Sequence, residues 1–221
     1  MARAKQPASF ADATGLPPSV ERLAATLSRL PGVGFKAAAK HATWFATQPL
    51  SMATDLAKAL THMTEVIWSC SRCGNLCEHK ADGSEDEAAS LCSICTNPKR
   101  DSALLCIVAT ISNLLAFEKA GTWKGRYFVL GKLLSPLDGI SASDLPVDNI
   151  KALLTADMEV VFAFPDSVDG NATSLFLARE LSMPGLAITQ LSAGVSYGAD
   201  LDFADAVTLG NALKRRVAVK S

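Results

Sequence analysis

The chain has 221 residues, 49% of them apolar and 19% charged, and its 21 Lys and Arg against 22 Asp and Glu leave a net charge of −1. This composition excludes a disordered chain, which could not bury enough apolar surface to offset its conformational entropy. The charge balance gives no global signature of a polyanion partner.

Taken in chain order, residues 1–18 are small and polar, with Pro7, Pro17 and Pro18, and predict a flexible arm. The opening MARAKQPASFADATG lacks the apolar core of a secretory signal, so a cytoplasmic chain with reduced thiols is expected. Residues 19–68 predict a helical DNA-binding unit. Val20, Leu23, Leu27 and Leu30 recur at helical spacing, and Pro31-Gly32-Val33-Gly34 breaks the helix. An Ala-rich helix runs from Phe35 to about Ala46, and a third covers about Met52 to Ile67. Charge segregates here: residues 1–48 hold six basic residues (Arg3, Lys5, Arg22, Arg29, Lys36, Lys40) and two acidic (Asp12, Glu21), a net of +4. The rest of the chain is net negative.

Two glycines permit the positive φ and close backbone approach of a tight hairpin, and a helix that starts directly after it presents N–H groups to a phosphate. Gly32, Gly34, Lys36 and Lys40 are therefore the candidate DNA contacts, with Arg29 and His41 close by. Contacts of this kind position a protein on the backbone without reading sequence.

Residues 69–100 carry two C-x2-C pairs, Cys70/Cys73 and Cys92/Cys95, with eighteen residues between them. That spacing predicts a closed four-cysteine zinc site, one structural ion per chain, each pair presenting two thiolates at ~2.3 Å from the metal. The competing readings, disulfides or a redox C-x2-C, fit less well with reduced thiols and with a second pair. Cys77 and His79 are possible substitute ligands and are read as bystanders; Cys106 is read as core.

Residues 101–192 alternate short apolar strands (104–108, 126–130, 160–164, 186–191) with helices at 113–120, 147–156 and 172–182, which predicts a parallel sheet covered on both faces. A helix over about 204–216 follows in the C-terminal segment, residues 193–221. The longest apolar stretch, around Ala103–Phe117, is broken by Thr110, Ser112 and Asn113 and is shorter than the ~20 residues of a bilayer span, so no membrane partner is expected.

Four segments in this order resemble one family, the bacterial recombination mediator RecR. LPGVGFKAAAKHA is similar to its helix-hairpin-helix, and the paired C-x2-C knuckles to its zinc finger. YFVL…LSPLDGI and VDGNAT resemble its Toprim domain, and GVSYGADLDFADAVTLGNAL its C-terminal, Walker B-like segment. The resemblance implies an α+β multidomain protein that acts as a non-enzymatic DNA clamp. It would be a dimer or tetrameric ring on single- and double-stranded, especially gapped, DNA, assisting recombinase loading in repair with RecO and RecF type partners. Asp169 keeps an acidic family position and is the candidate partner contact; Asp200 and Asp202 fall in an assembly segment. The chain departs from the family pattern at Phe35, where Pro is usual, at Ala109 and Asn113, where acidic residues are usual, and at Asn171. The alternative is a catalytic Toprim protein: a metal-dependent nuclease, primase or topoisomerase fragment. Such an enzyme holds Mg²⁺ on clustered carboxylates, for which this protein offers Asp166 and Asp169.

Overall fold

The computed structural model describes residues 15–78, 91–192 and 201–219. The arm before Gly15, His79 with the acidic run at 82–87, and Tyr197 with Asp200 lie outside the described residues. The protein divides into two compact units, Met1–Glu65 and Val66–Ser221.

The first unit is helical. Pro18, with its fixed φ, opens α1 (Pro18–Leu27). Leu30-Pro31-Gly32-Val33 then reverses the direction of the backbone, closed by a 3.1 Å bond from the Val33 N–H to the Leu30 carbonyl. Gly32 has φ +77°, the value a type II turn requires at its third residue after Pro. α2 (Phe35–Ala46) starts at once, and α3 (Leu50–Val66) follows Pro49. The α1–α2 contact rests on Ala24, Ala38 and Ala42, all fully buried, with Val20, Leu27 and Val33 around them. Of the predicted apolar stripe, Leu23 and Leu30 remain exposed at 37% and 51%. Alanines bring the two backbones too close together for leucines to fill the seam. α3 buries no side chain.

The second unit begins with an antiparallel hairpin, β1 (Ile67–Ser69) and β2 (Leu76–Glu78), with Trp68 opposite Cys77. The short α4 (Ser93–Thr96) comes next. A five-stranded sheet follows, built from β3 (Asp101–Val108), β4 (Gly125–Val129), β5 (Glu159–Ala163), β6 (Ala187–Gln190) and β7 (Val217–Ala218), in the order β4-β3-β5-β6-β7. β3 to β6 are parallel, while β7 pairs antiparallel to β6, so the sheet is mixed rather than wholly parallel. β7 is two residues long, and the short apolar stretch Val217-Ala218-Val219 is too brief to announce a strand.

Side-chain alternation divides the core. Cys106, Val108, Tyr127, Val129, Val161 and Ala163 face α5 (Ile111–Ala120) and α8 (Ala206–Lys214). Leu105, Ile107, Phe128, Leu130, Val160 and Phe162 face α6 (Val147–Lys151) and α7 (Val168–Glu180). α6 is five residues long, not the ten expected over 147–156. The backbone turns after it and Asp157 takes φ +71°, which leaves Met158 buried beside β5. α7 starts at Val168 rather than 172 because Ser167 caps it, its Oγ accepting the Gly170 N–H at 3.1 Å. Gly170 is required there, since a Cβ would stand 2.1 Å from the Pro165 carbonyl oxygen.

Candidate metal centre and nucleic-acid interface

Cys70, Cys73, Cys92 and Cys95 converge from the two predicted knuckles, all buried, with their sulfurs within 4.8 Å of one another. Gly74, at φ +72°, turns the first knuckle, where its N–H bonds the Cys70 carbonyl at 2.9 Å. In the second, the Cys92 N–H donates to the Cys70 sulfur at 3.3 Å and so ties the two together. Cys73 and Cys92 sulfurs stand 3.6 Å apart. That is far beyond a disulfide bond and close to the roughly 3.8 Å edge of a tetrahedron with 2.3 Å metal–sulfur bonds.

The donor set, four thiols with no fifth ligand among the described residues, fits a closed tetrahedral metal ion. Without metal the sulfurs share protons. The hydrogen bond between them pushes the Cys73 thiol up and holds the Cys92 thiol down. Cys77 stands apart on β2, where its thiol donates to the Trp68 carbonyl at 3.6 Å. Cys106 is wholly buried in β3, and burial pushes its thiol far up, as expected of a core residue.

In the helical unit, Gly32, Gly34, Arg29, Lys36 and Lys40 are all exposed. Gly34 is the N-cap of α2, and that helix has no side-chain cap. Its first-turn N–H groups have no acceptor within the helix. Lys36 and Lys40, four apart, occupy the face opposite Ala38 and Ala42, which seal α2 against α1. None of Arg29, Lys36 and Lys40 enters an ion pair among the described residues. His41 is exposed on the same helix.

A cleft of about 450 Å³ lies beyond the carboxyl ends of β3, β4 and β5, at the switch point of the sheet where open α/β folds bind ligands. Ala109, Asn113, Lys132, Asp138 and Asp169 line it. Asp166 instead lines a separate cavity of about 240 Å³ beside Gln190 and Leu201, and its carboxylate accepts a 3.1 Å bond from the Asn171 amide. Asp166 and Asp169 therefore line different cavities. Among the described residues, the four cysteines are the one group of three or more potential metal ligands.

Comparison with known proteins places these features. The Toprim domain family matches residues 103–192, and the family described as RecR, C-terminal, matches residues 194–217. Recombination protein RecR of Chlorobium luteolum is 36% identical over 206 residues, covering 91% of the present sequence and 97% of that protein. Recombination protein RecR of Hahella chejuensis is 37% identical over 205 residues, covering 92% and 97%. That of Caulobacter sp. is 37% identical over 201 residues, covering 90% and 96%. The chain belongs to the RecR family.

Two residues that sequence reasoning singled out as departures from the RecR pattern have structural roles. Asn113, buried in the Toprim domain, completes a capping box with Thr110 at the start of α5, and its amide donates to Asp202 at 2.5 Å. This bond joins the Toprim domain to the stretch matched by the RecR C-terminal family. Asn171, in α7, holds Asp166. Sequence reasoning missed two carboxylate clusters in this RecR protein. Glu118 receives Arg100 and the Tyr127 hydroxyl, the latter at 2.8 Å, and Glu159 receives Arg216 through both carboxylate oxygens. No spacing in the sequence could link residues 57 positions apart.

Proposed function

We propose that this protein is a DNA-binding recombination mediator that holds the phosphate backbone with its helix-hairpin-helix and performs no catalysis. The observation that carries the reading is the exposed Lys36–Lys40 face beside the Gly32–Gly34 turn, free of ion pairs among the described residues, in a member of the RecR family. Gly32, Gly34, Arg29, Lys36 and Lys40 would contact phosphates, without preference for base sequence. Zinc on Cys70, Cys73, Cys92 and Cys95 would be structural, because four thiolates leave no position open for water or substrate. The non-enzymatic reading is supported by the residues of the Toprim cleft: Ala109 stands at its first strand end, and Asp166 and Asp169 line different cavities. Asp169, on the cleft wall, would meet a partner of the RecO or RecF type. A ring of several copies on gapped DNA would gather the hairpin charges inward.

Gapped DNA tests the reading. Lys36→Glu and Lys40→Glu should each weaken binding by about tenfold or more without loss of thermal stability, and the wild type should leave the DNA uncut with Mg²⁺. The slope of log affinity against log salt should fall by roughly 0.7–0.9 for each phosphate contact removed. Variants that bind as tightly as wild type would move the DNA surface away from the hairpin.

A further inference from the structure

A second cationic feature lies in the α/β unit, at the opposite end of the sheet from the Toprim cleft. There a pocket of about 240 Å³ opens where the zinc knuckle meets the starts of β3 and β4. Arg72, from the knuckle, and Arg126, from the edge strand β4, line it together with Ser102. Leu105, Leu153 and Met158 supply an apolar floor.

Among the described residues the charge of this pocket is not compensated from within. The Arg126 Nε is buried and has no hydrogen-bond partner among the described residues. Arg72 donates one 3.3 Å bond, to the Cys95 carbonyl, which is neutral. Among the described residues no carboxylate lines the pocket, and the ion pairs engage Arg100, Lys151 and Arg216 instead. The neighbouring Asp101 is exposed and accepts the Ala103 N–H at 2.9 Å. Holding a guanidinium partly buried without an anion costs free energy that a folded protein avoids unless a ligand supplies the anion. Arg100 and Arg216, the partly buried arginines elsewhere in this unit, each hold a carboxylate through two nitrogens or both of its oxygens.

We propose that the Arg72–Arg126 pocket binds a carboxylate carried on an apolar peptide segment, and is a docking site for an acidic stretch of a partner protein. Two guanidiniums and a hydroxyl match a planar oxyanion, which arginine holds through paired N–H groups. The apolar floor matches the stem or neighbouring side chain that brings the oxyanion in. A DNA strand fits less well. Its phosphates are flanked by sugars and would lie across a surface whose residues 101–221 carry ten basic and thirteen acidic side chains. A single carboxylate entering a recess meets only the local positive charge. Asp or Glu side chains and the terminal carboxylate of a polypeptide offer the same oxyanion, so the probe must separate them.

The test uses the full-length protein and a fluorescein-labelled hexapeptide of alternating leucine and aspartate with an amidated C-terminus. A second probe, a leucine-rich peptide whose one carboxylate is its free C-terminus, isolates the terminal source. At least one probe should bind saturably and more weakly at high salt. Arg72→Gln or Arg126→Gln should reduce that affinity by about tenfold or more, while gapped-DNA affinity stays within about twofold of wild type. Amide NMR of the wild type checks the site without any variant: Ser102, Arg126 and Leu153 should shift on titration. The proposal is overturned if neither probe binds saturably, if the shifts fall elsewhere, or if both variants bind the peptides as well as wild type. It is equally overturned if the variants lose DNA affinity instead, which would make the pocket a phosphate site.

Discussion

Asn113 illustrates how one atom's identity decides local stability. Its Oδ1 accepts the Thr110 N–H at 3.3 Å while its amide donates to the Asp202 carboxylate. An aspartate, the residue the RecR resemblance leads one to expect, would satisfy the first bond and turn the second into carboxylate against carboxylate. Two such groups at hydrogen-bond distance repel each other, and with position 113 buried one of them would take up a proton. Asn113→Asp should therefore cost about 2 kcal/mol at pH 7. The sign of its pH dependence follows from a carboxyl pKa raised on folding. The deficit should be small near the unfolded carboxyl value of about 4 and grow as pH rises through the raised folded value. Thermal melts of variant and wild type across that range check this. A deficit independent of pH would mean that the amide acts by shape alone.

Elements were legible where one physical signal dominated. The inner strands are continuous apolar runs because both faces of the sheet are covered, and β3, β4, β5 and β6 fall on the predicted segments. The glycine-rich break between α1 and α2 was equally plain, since only a turn explains two glycines after a proline. The leucine stripe of α1 misled, because the seam is made by alanines, whose value lies in close approach rather than in hydrophobicity. β7 was invisible, being two residues held by pairing with β6 and by the clamp next to it. That clamp is Arg216, between α8 and β7, grasping Glu159 at the head of β5. The Arg216 guanidinium holds the Glu159 carboxyl below its ordinary value, aided by a 3.0 Å bond from Thr189. A carboxyl pKa lowered on folding stabilises above the unfolded value of about 4.3, and that contribution is lost as pH falls through the folded value. Arg216→Met should thus lower Tm at pH 7 by roughly 2–4 °C, for about 1 kcal/mol in a partly exposed pair. The gap should narrow as the solution is acidified below about pH 4. A gap that widens with acid would assign the effect to packing of the arginine stem.

At the scale of the whole molecule, the four cysteines were readable from spacing because a closed thiolate shell needs two paired knuckles. The carboxylate clamps were not, because their partners meet only in the fold. The knuckle is also tied into the sheet: the Val129 N–H at the end of β4 donates to the Cys73 carbonyl at 2.8 Å, and the cysteines share one core with Val108, Phe117 and Tyr127. Metal loss should therefore propagate beyond residues 70–95. A strong chelator should remove one zinc per protein molecule and lower the melting temperature of the α/β unit, with recovery on adding Zn²⁺ back. Acid should act in the same direction. Each thiolate ligand must lose its proton to bind. Falling pH returns protons to the sulfurs and releases the ion, so chelator and acid should reinforce one another. The hairpin surface proposed to hold DNA lies in the helical unit, apart from the cysteine cluster. Brief metal removal should then depress stability more than it depresses the salt slope of DNA binding. Elemental analysis, calorimetry and a salt titration on one preparation separate the outcomes. A protein that melts at the same temperature with and without metal would reduce the cysteine cluster to four packed thiols.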